Sequence, residues 1–333
     1  MSGVSVDVSQ VSELVDNTGY PVLMESYEGA PLVYPSLGSI VDPADLASPF
    51  YGEKGSVLEG MARFRERQDG QDIERSTFDT AYTWYQKCSQ YARSITIPSR
   101  LLRSSDNLGK IGSLVTKAAA EWGEIARLQK EDHVAGMFQK GTLTAGSRPY
   151  FDGSFPGNVD PNPTTIYDGL PWYDTAHTLT GSAGTYANHI VSAALSAATL
   201  QSALIAMTDT NAVNERGERI LIRPDVLMVP PGLEYTARVV LNSGLLPGGS
   251  NNDINAVEGA LQLVVNRALS DAASASSWWI VQSGKGLRIA DSGAPRMRTV
   301  EHTNGDIEVI AEYEFGAAVT NWRYHYCANK AAS

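Results

Sequence analysis

Between Leu108 and Ile125 the apolar residues step by 3, 4, 3, 4 and 3 (Leu108, Ile111, Val115, Ala118, Trp122, Ile125). That spacing is one face of an α-helix. Lys110, Lys117, Glu121, Glu124 and Glu131 fall off the stripe. Asp106 is placed to act as N-cap, and Gly141 lies just past the far end. If unbroken to Gln139, the helix is about 50 Å long at the α-helical rise. A rod of that length suits a beam joining two parts of a molecule, and the rest of the chain must be arranged along it.

Before the rod come two segments of different character. Residues 1–50 hold seven acids (Asp7, Glu13, Asp16, Glu25, Glu28, Asp42, Asp45) and neither lysine nor arginine. Prolines at 21, 31, 35, 43 and 49 interrupt any long element, so an extended arm is expected. Its apolar clusters, around Tyr20 to Met24 and Leu32 to Tyr34, imply that it lies on something. Then Gly60 to Phe78 centres on the tight-turn signal Asp69-Gly70, with flanks dominated by Arg63, Arg65, Glu66, Arg67, Asp72, Glu74 and Arg75. So polar a hairpin cannot bury a face against its own domain. It should project, supported by a neighbouring chain. Tyr91 to Leu102 alternates briefly around Ile95 and Ile97, as a returning strand does.

Beyond the rod, Gly141 to His189 is rich in turn formers. A helix near Ala197 to Met207 follows, then a strand at Val226–Val229, a helix at Leu233–Asn242, and strands at Leu261–Val265 and Trp278–Val281. After Gly286 the chain reads as strands, and Asn304-Gly305 is the strongest hairpin signal in it. The fold class is α+β.

Chemistry is hard to place on this sequence. The strand, turn and helix from Arg223 to Gly249 have the order of a phosphate-binding unit. Pro230 and Pro231, however, stand at the turn with no N–H to offer an anion. Phosphate-loop, dinucleotide and nucleophile-elbow motifs are all missing. The five histidines show no metal-ligand spacing. His177, with Asp168 and Asp174 nearby, is read as ordering its loop by hydrogen bonds, because no nucleophile accompanies it. A net charge of −11 argues against a dedicated nucleic-acid-binding face. Two cysteines, Cys88 and Cys327, read as plain thiols in a reducing compartment. The most apolar window, Ile190 to Met207, carries too many polar residues for a membrane span and reads as buried helix. No enzyme activity, cofactor, metal or membrane partner is expected.

Four segments, in order, resemble the major capsid proteins of tailed bacteriophages with the HK97-like fold, in particular the Mu-like major head subunit family. They are Ser94 to Arg127 behind the hairpin, Asp168 to Leu179, Leu195 to Ser243, and Trp278 to the C-terminus. The resemblance implies an N-terminal arm (1–50), an E-loop hairpin with flanking strands (51–104) and a P-domain with the spine helix (105–189). It further implies an A-domain (190–285) and returning P-domain strands (286–333). Hexamers and pentamers would build an icosahedral shell around double-stranded DNA, held without sequence-specific binding. The shell would be located in the virion and assembled in the host cytoplasm, with portal and scaffolding or decoration proteins as partners. Inter-subunit contact candidates are Arg63, Phe64, Arg65, Arg67 and Arg75 on the hairpin and Glu13, Asp16, Glu25 and Glu28 on the arm. Leu245, Leu246, Asn251, Asn252 and Asp253 would face the capsomer axis.

Some members of the family crosslink a hairpin lysine to a neighbour. Lys54, the only lysine before residue 87, sits near the hairpin base, so crosslinking is not expected. Proteolytic maturation is not expected either, the sequence opening on Met1. An encapsulin-type compartment shares the fold and is the alternative; an α/β hydrolase or transferase would need the missing nucleophile–base pair.

Overall fold

The structure is a computed structural model that describes residues 6–46, 53–60, 66, 67, 69, 72, 73, 79–103, 105–142, 154, 155, 158, 159, 166, 168–245, 254–269 and 272–330. The N-terminal segment departs from the extended arm expected of it. Helix α1 (Val8–Leu14) opens with a reciprocal capping box, Asp7 accepting from the Gln10 N–H at 2.9 Å while Gln10 accepts from the Asp7 N–H at 3.3 Å. A π-turn (Val15–Gly19) joins it directly to α2 (Tyr20–Glu28). Pro21 does not break the run because it follows directly on the π-turn, where the i→i−4 ladder is already interrupted and a missing N–H costs little. Pro35 and Pro43 open 3₁₀ turns, at Tyr34–Ser36 and Pro43–Asp45, and β1 (Ser39–Val41) lies between them.

Strands β2 (Glu53–Leu58) and β3 (Thr80–Gln86) pair antiparallel, and β4 (Ser89–Ile97) follows. After a one-turn helix α3 (Ser99–Leu102) and a 3₁₀ turn at Ser105–Asn107, the rod α4 runs from Leu108 to Lys140 without a break. Asp106 lies within that 3₁₀ turn, and Asn107 takes the N-cap position without a side-chain capping bond.

Short strands come next: β5 (Ser154–Phe155) with β6 (Asn158–Val159), β7 (His177–Thr178) with β8 (Thr185–Tyr186), and β9 (His189–Ile190). The remaining elements are α5 (Ala197–Ile205), β10 (Val226–Val229), α6 (Glu234–Asn242), β11 (Gln262–Val265) and β12 (Trp278–Val281). Strands β13 (Leu287–Asp291), β14 (Arg296–Glu301), β15 (Ile307–Val319) and β16 (His325–Ala328) complete the chain.

Two five-stranded sheets organise these elements. In the first, β15 is the long centre: β14 and β13 pair in succession along one side, β4 along the other, and β1 joins β13 in parallel. The β14–β15 connection is the Asn304-Gly305 hairpin, with Gly305 at φ 80°, a conformation that favours glycine. The second sheet has the order β11-β10-β12-β16-β9.

Strand alternation makes the second sheet a partition. Val226, Met228, Trp279, Val281 and Cys327 face a core shared with the C-terminal part of α4, including Val134, Met137 and Phe138. Leu227, Val229, Trp278, Ile280, Tyr326 and Ala328 face a second core roofed by α5 and α6. At its other end α4 places Ile111 and Val115 against Val11, Val15, Ile97 and Val309. The rod therefore does connect two packed regions.

Its buried face is rotated from the stripe read in the sequence. Ile111, Val115, Ala119, Gly123, Ala126, Lys130 and Val134 are buried, whereas Ile125 is 52% exposed. Small residues decide this register, because α2 crosses there. A Cβ on Gly123 would stand 2.5 Å from the Leu23 carbonyl oxygen and 2.9 Å from the Tyr27 nitrogen. The Ser26 hydroxyl adds a 2.6 Å bond to the Ala120 carbonyl at the same crossing.

Lys130 is fully buried on that face. Its Nζ lies 2.5 Å from Asp291 Oδ1 and donates to the Tyr27 hydroxyl at 3.1 Å and the Gly293 carbonyl at 2.5 Å. The Tyr27, Tyr313 and Phe315 rings surround it, and the Tyr34 hydroxyl donates to the other oxygen of Asp291. The next residue, Glu131, accepts from the backbone N–H groups of Val33 and Tyr34. Burial raises its carboxyl pKa, and those two backbone bonds act in the opposite sense. What the sequence presents as a solvated acid on the rod is thus a clamp on the N-terminal segment.

Two histidines in this region should make stability fall in mild acid. Burial holds His133, edge-on to Phe315, and His325, bonded to the Lys285 carbonyl, at pKa values of about 4. Each is therefore neutral when folded and gains a proton on unfolding between the ordinary histidine range and about pH 4. Between about pH 6.5 and 4 the unfolded chain binds more protons, so stability declines as pH falls, by about 1.4 kcal/mol per unit for each histidine. Urea midpoints measured across that window should show the slope, and His325→Phe should remove about half of the histidine share of it.

Candidate assembly surfaces

The hairpin stem is anchored at its base. Arg288 of β13 reaches Glu53 of β2 at 2.5 Å and lies over the Trp84 ring at 5.3 Å. Gln86, at the end of β3, is fully buried and donates to the carbonyls of Arg288 and Gly316 at 3.4 Å each. Further out, Arg216 bridges to Glu59 at 3.5 Å and Asp79 at 3.8 Å, one acid from each side of the stem. The turn carrying Arg216 is fixed in turn by a buried pair, Arg323 to Glu215 at 2.7 Å.

None of these residues was singled out from the sequence. Isolated charges on strands and turns carry no spacing signal that would nominate them. Arg216→Ala should lower global stability by less than about 1 kcal/mol, since the pair is partly solvated. It should nonetheless speed proteolysis within the hairpin, which mass spectrometry of the first cleavage products would show.

Of the hairpin candidates, Arg67 is exposed, while Arg63, Phe64, Arg65 and Arg75 lie outside the described residues. Glu13, Asp16, Glu25 and Glu28 are all exposed, the inner side of the N-terminal helices being taken by Val11, Val15, Leu23 and Tyr27. The segment is therefore acidic outward and apolar inward. Lys54 is exposed in β2, 5.5 Å from the Tyr85 ring, at the base of the stem. Leu245 is half-exposed and bridges to Ile254, closing the loop in which Leu246, Asn251, Asn252 and Asp253 lie outside the described residues.

The enzyme-like cluster is built as an ordering device. His177 Nδ1 is 2.6 Å from Asp168 Oδ2, Nε2 is 3.1 Å from Asn188 Oδ1, and the ring stacks on Trp322 at 4.3 Å. Asn188 in turn donates to the carbonyls of Trp172 and Trp322. With His177 and Asp168 fully buried and both ring nitrogens engaged, the imidazole is closed to a substrate. Asp174 caps its own turn through the Ala176 N–H. Cys88 and Cys327 are free, buried thiols. Among the described residues no cluster of three or more His, Cys, Asp or Glu is placed to hold a metal, and no helix is long and apolar enough to cross a membrane.

A two-stranded stem, a spine helix crossed by the N-terminal helices and a two-sided sheet make up an α+β fold of the HK97-like kind found in phage shell subunits. The chain aligns along its whole length with the capsid of Ralstonia phage GP4, covering 94% of that chain at 14% identity with a TM-score of 0.51. It covers 89% of the capsid chain of Cyanophage P-SCSP1u with 91% of its own length, at 12% identity and a TM-score of 0.50. No curated protein matches it. The profile of the phage capsid protein family matches residues 99–328, and the chain belongs to that family. It is thus a phage capsid protein by family, with the fold of solved phage shell subunits.

Proposed function

We propose that copies of this chain assemble as hexamers and pentamers into the icosahedral head that encloses the phage's double-stranded DNA. In this reading residues 1–50 are the arm, 51–104 the E-loop with its strands, and 105–189 the P-domain with its spine. Residues 190–285 form the A-domain, and 286–333 return toward the P-domain. The role is structural, with no chemistry of its own. The arm acids Glu13, Asp16, Glu25 and Glu28 and the hairpin arginines Arg63, Arg65, Arg67 and Arg75, with Phe64, meet between neighbouring copies. The loop of Leu245, Leu246, Asn251, Asn252 and Asp253 faces the capsomer axis. Portal and scaffolding or decoration proteins complete the particle, which is built in the host cytoplasm and persists as the virion capsid.

The observation that carries this reading is the stem. A two-stranded ribbon is marginal in water, and among the described residues β2 and β3 pair with no further strand, being held to the body by the side chains of Arg288, Gln86, Tyr82 and Arg216. Support from a neighbouring subunit makes such a ribbon persist, and large shared interfaces are what a closed shell needs. An acidic subunit, at −11, also keeps the inner wall from gripping the packaged DNA.

Expression of the chain alone, followed by negative-stain electron microscopy and light scattering, should give closed shells or hexamer-sized rings. A monomer at every concentration, unchanged by crowding or co-expressed head proteins, would sink the proposal. Copurification of a protein cargo in place of DNA would turn it toward an encapsulin-type compartment.

A further inference from the structure

Lys130 and Asp291 are held more closely and in drier surroundings than an ion pair requires. The lysine side chain is fully buried and that of the aspartate 8% exposed. Nζ lies 2.5 Å from Oδ1, next to the carboxyl carbon. Tyr27, Tyr34, Tyr313 and Phe315, all buried, surround the two groups. Keeping two charges in such a place is costly. An amide in their place carries no charge.

The polar contacts around the pair run from one reactive group to the other. Lys130 Nζ donates to the Tyr27 hydroxyl at 3.1 Å. That hydroxyl interacts with the hydroxyl of Tyr34, which donates to Asp291 Oδ2. Burial, followed by the charge of Asp291, raises the Tyr34 pKa, so this hydroxyl faces the carboxylate as a donor. The other oxygen, Oδ1, accepts from the Gly293 N–H at 3.0 Å. One oxygen is thus at the end of a proton path from the amine, and the other is held by a backbone donor.

We propose that Lys130 and Asp291 condense into an isopeptide bond within one chain, Nζ to Cγ, after the subunit has folded. In the newly folded chain the two groups hold each other as ions. A proton passes from the ammonium through Tyr27 and Tyr34 to Oδ2, leaving a neutral amine and a neutral acid. Nζ attacks Cγ, and the negative charge that develops on Oδ1 meets the Gly293 N–H. A second proton follows the same path, the Cγ–Oδ2 bond breaks, and Oδ2 leaves as water. Each tyrosine has given and taken the same number of protons. The amide keeps one N–H, placed beside the Gly293 carbonyl, and its oxygen keeps the Gly293 N–H.

Fixed contact stands in for chemical activation, because well-oriented groups in one molecule reach effective molarities of about 10⁵–10⁸ M. The bond forms once per chain, without turnover, and involves neither the hairpin nor a neighbouring copy. It goes beyond the shell role and does not depend on it. Its effect is to tie the spine helix to β13 across 161 positions of sequence, restricting the unfolded chain as a disulfide does.

The test uses the full chain, shown to be folded by circular dichroism. Mass spectrometry of the denatured protein should read the sequence mass less one water. Proteolysis should give a branched peptide joining the segments around Lys130 and Asp291. Lys130→Arg keeps the positive charge without the amine and should show the full mass. Tyr34→Phe removes the donor at Oδ2. In samples drawn after a short pulse of expression it should gain the bond about a hundredfold more slowly than wild type, the low end for a positioned proton donor.

A folded wild-type chain that keeps its full mass overturns the proposal. So does a loss of water that persists in Lys130→Arg, which puts the loss elsewhere, as in a succinimide at Asp69-Gly70. Equal rates in Tyr34→Phe and wild type would overturn the proton path.

Discussion

Lys130→Met should destabilise the folded chain by roughly 3–5 kcal/mol, the usual consequence of removing one partner from a buried ion pair. Methionine nearly matches lysine in volume and leaves no large cavity, so the loss is electrostatic in origin. Without the ammonium group, Asp291 keeps a carboxylate with 8% side-chain exposure, the Tyr34 hydroxyl and the Gly293 N–H as its remaining partners. The Tyr27 hydroxyl and the Gly293 carbonyl each lose a donor.

The decisive comparison is the double variant Lys130→Met with Asp291→Leu. Replacing both partners with apolar groups removes the stranded charge, so stability should recover by more than half of the loss. Urea unfolding of unassembled subunits, followed by intrinsic fluorescence, gives both values. A single variant within about 1 kcal/mol of wild type would show the lysine to be solvated and the network to contribute little.

Gly123→Val should free the N-terminal helices from the spine. The added Cβ lands on the Leu23 carbonyl and the Tyr27 nitrogen, which are backbone atoms and cannot rotate aside. Overpacking of this kind costs about 1–3 kcal/mol, and a contact with backbone belongs at the upper end. The strain can be relieved by lifting α2, which also draws Tyr27 from the Lys130 network and breaks the Ser26 bond to Ala120. Limited proteolysis should therefore cut first within residues 15–30 in the variant, at a rate well above wild type. Unchanged cleavage kinetics would mean that the crossing has room the geometry does not show.

The parts of the fold legible in the sequence are those written in periodicity and turn chemistry. The rod from Leu108, the Asn304-Gly305 hairpin, the strand at Val226 and the helices after Ser196 and Leu233 all carry such signals, and all are present. The register of the rod was not legible. Counting apolar residues favours Ile125, whereas the docking face is set by how closely α2 can approach, which favours Ala119 and Gly123.

The helical N-terminal segment was hidden for a related reason. Proline breaks an unbroken α-helical ladder but is accommodated just after a π-turn, and the sequence does not announce where such a turn falls. Strand β16 lies in the segment read as strands but carries no signal of its own, since HYCA has no alternation to mark a strand buried on both faces. Buried charges were the least readable feature. Lys130, Glu215 and Arg323 look like any surface residue until the fold supplies their partners. The acids of the N-terminal helices, by contrast, are exposed, as their composition suggests.

The two-sided sheet has an experimental consequence. Trp278 and Trp279 are consecutive, both fully buried, and face opposite cores. Their indoles sample different surroundings: Trp278 donates its N–H to the Ala193 carbonyl under the α5 side, and Trp279 meets Phe138 of the rod edge-on at 6.2 Å. Peptide neighbours thus serve as separate optical gauges for the two halves of the subunit. Replacing one at a time with phenylalanine would let fluorescence follow each half as the particle is stressed, and would reveal which yields first.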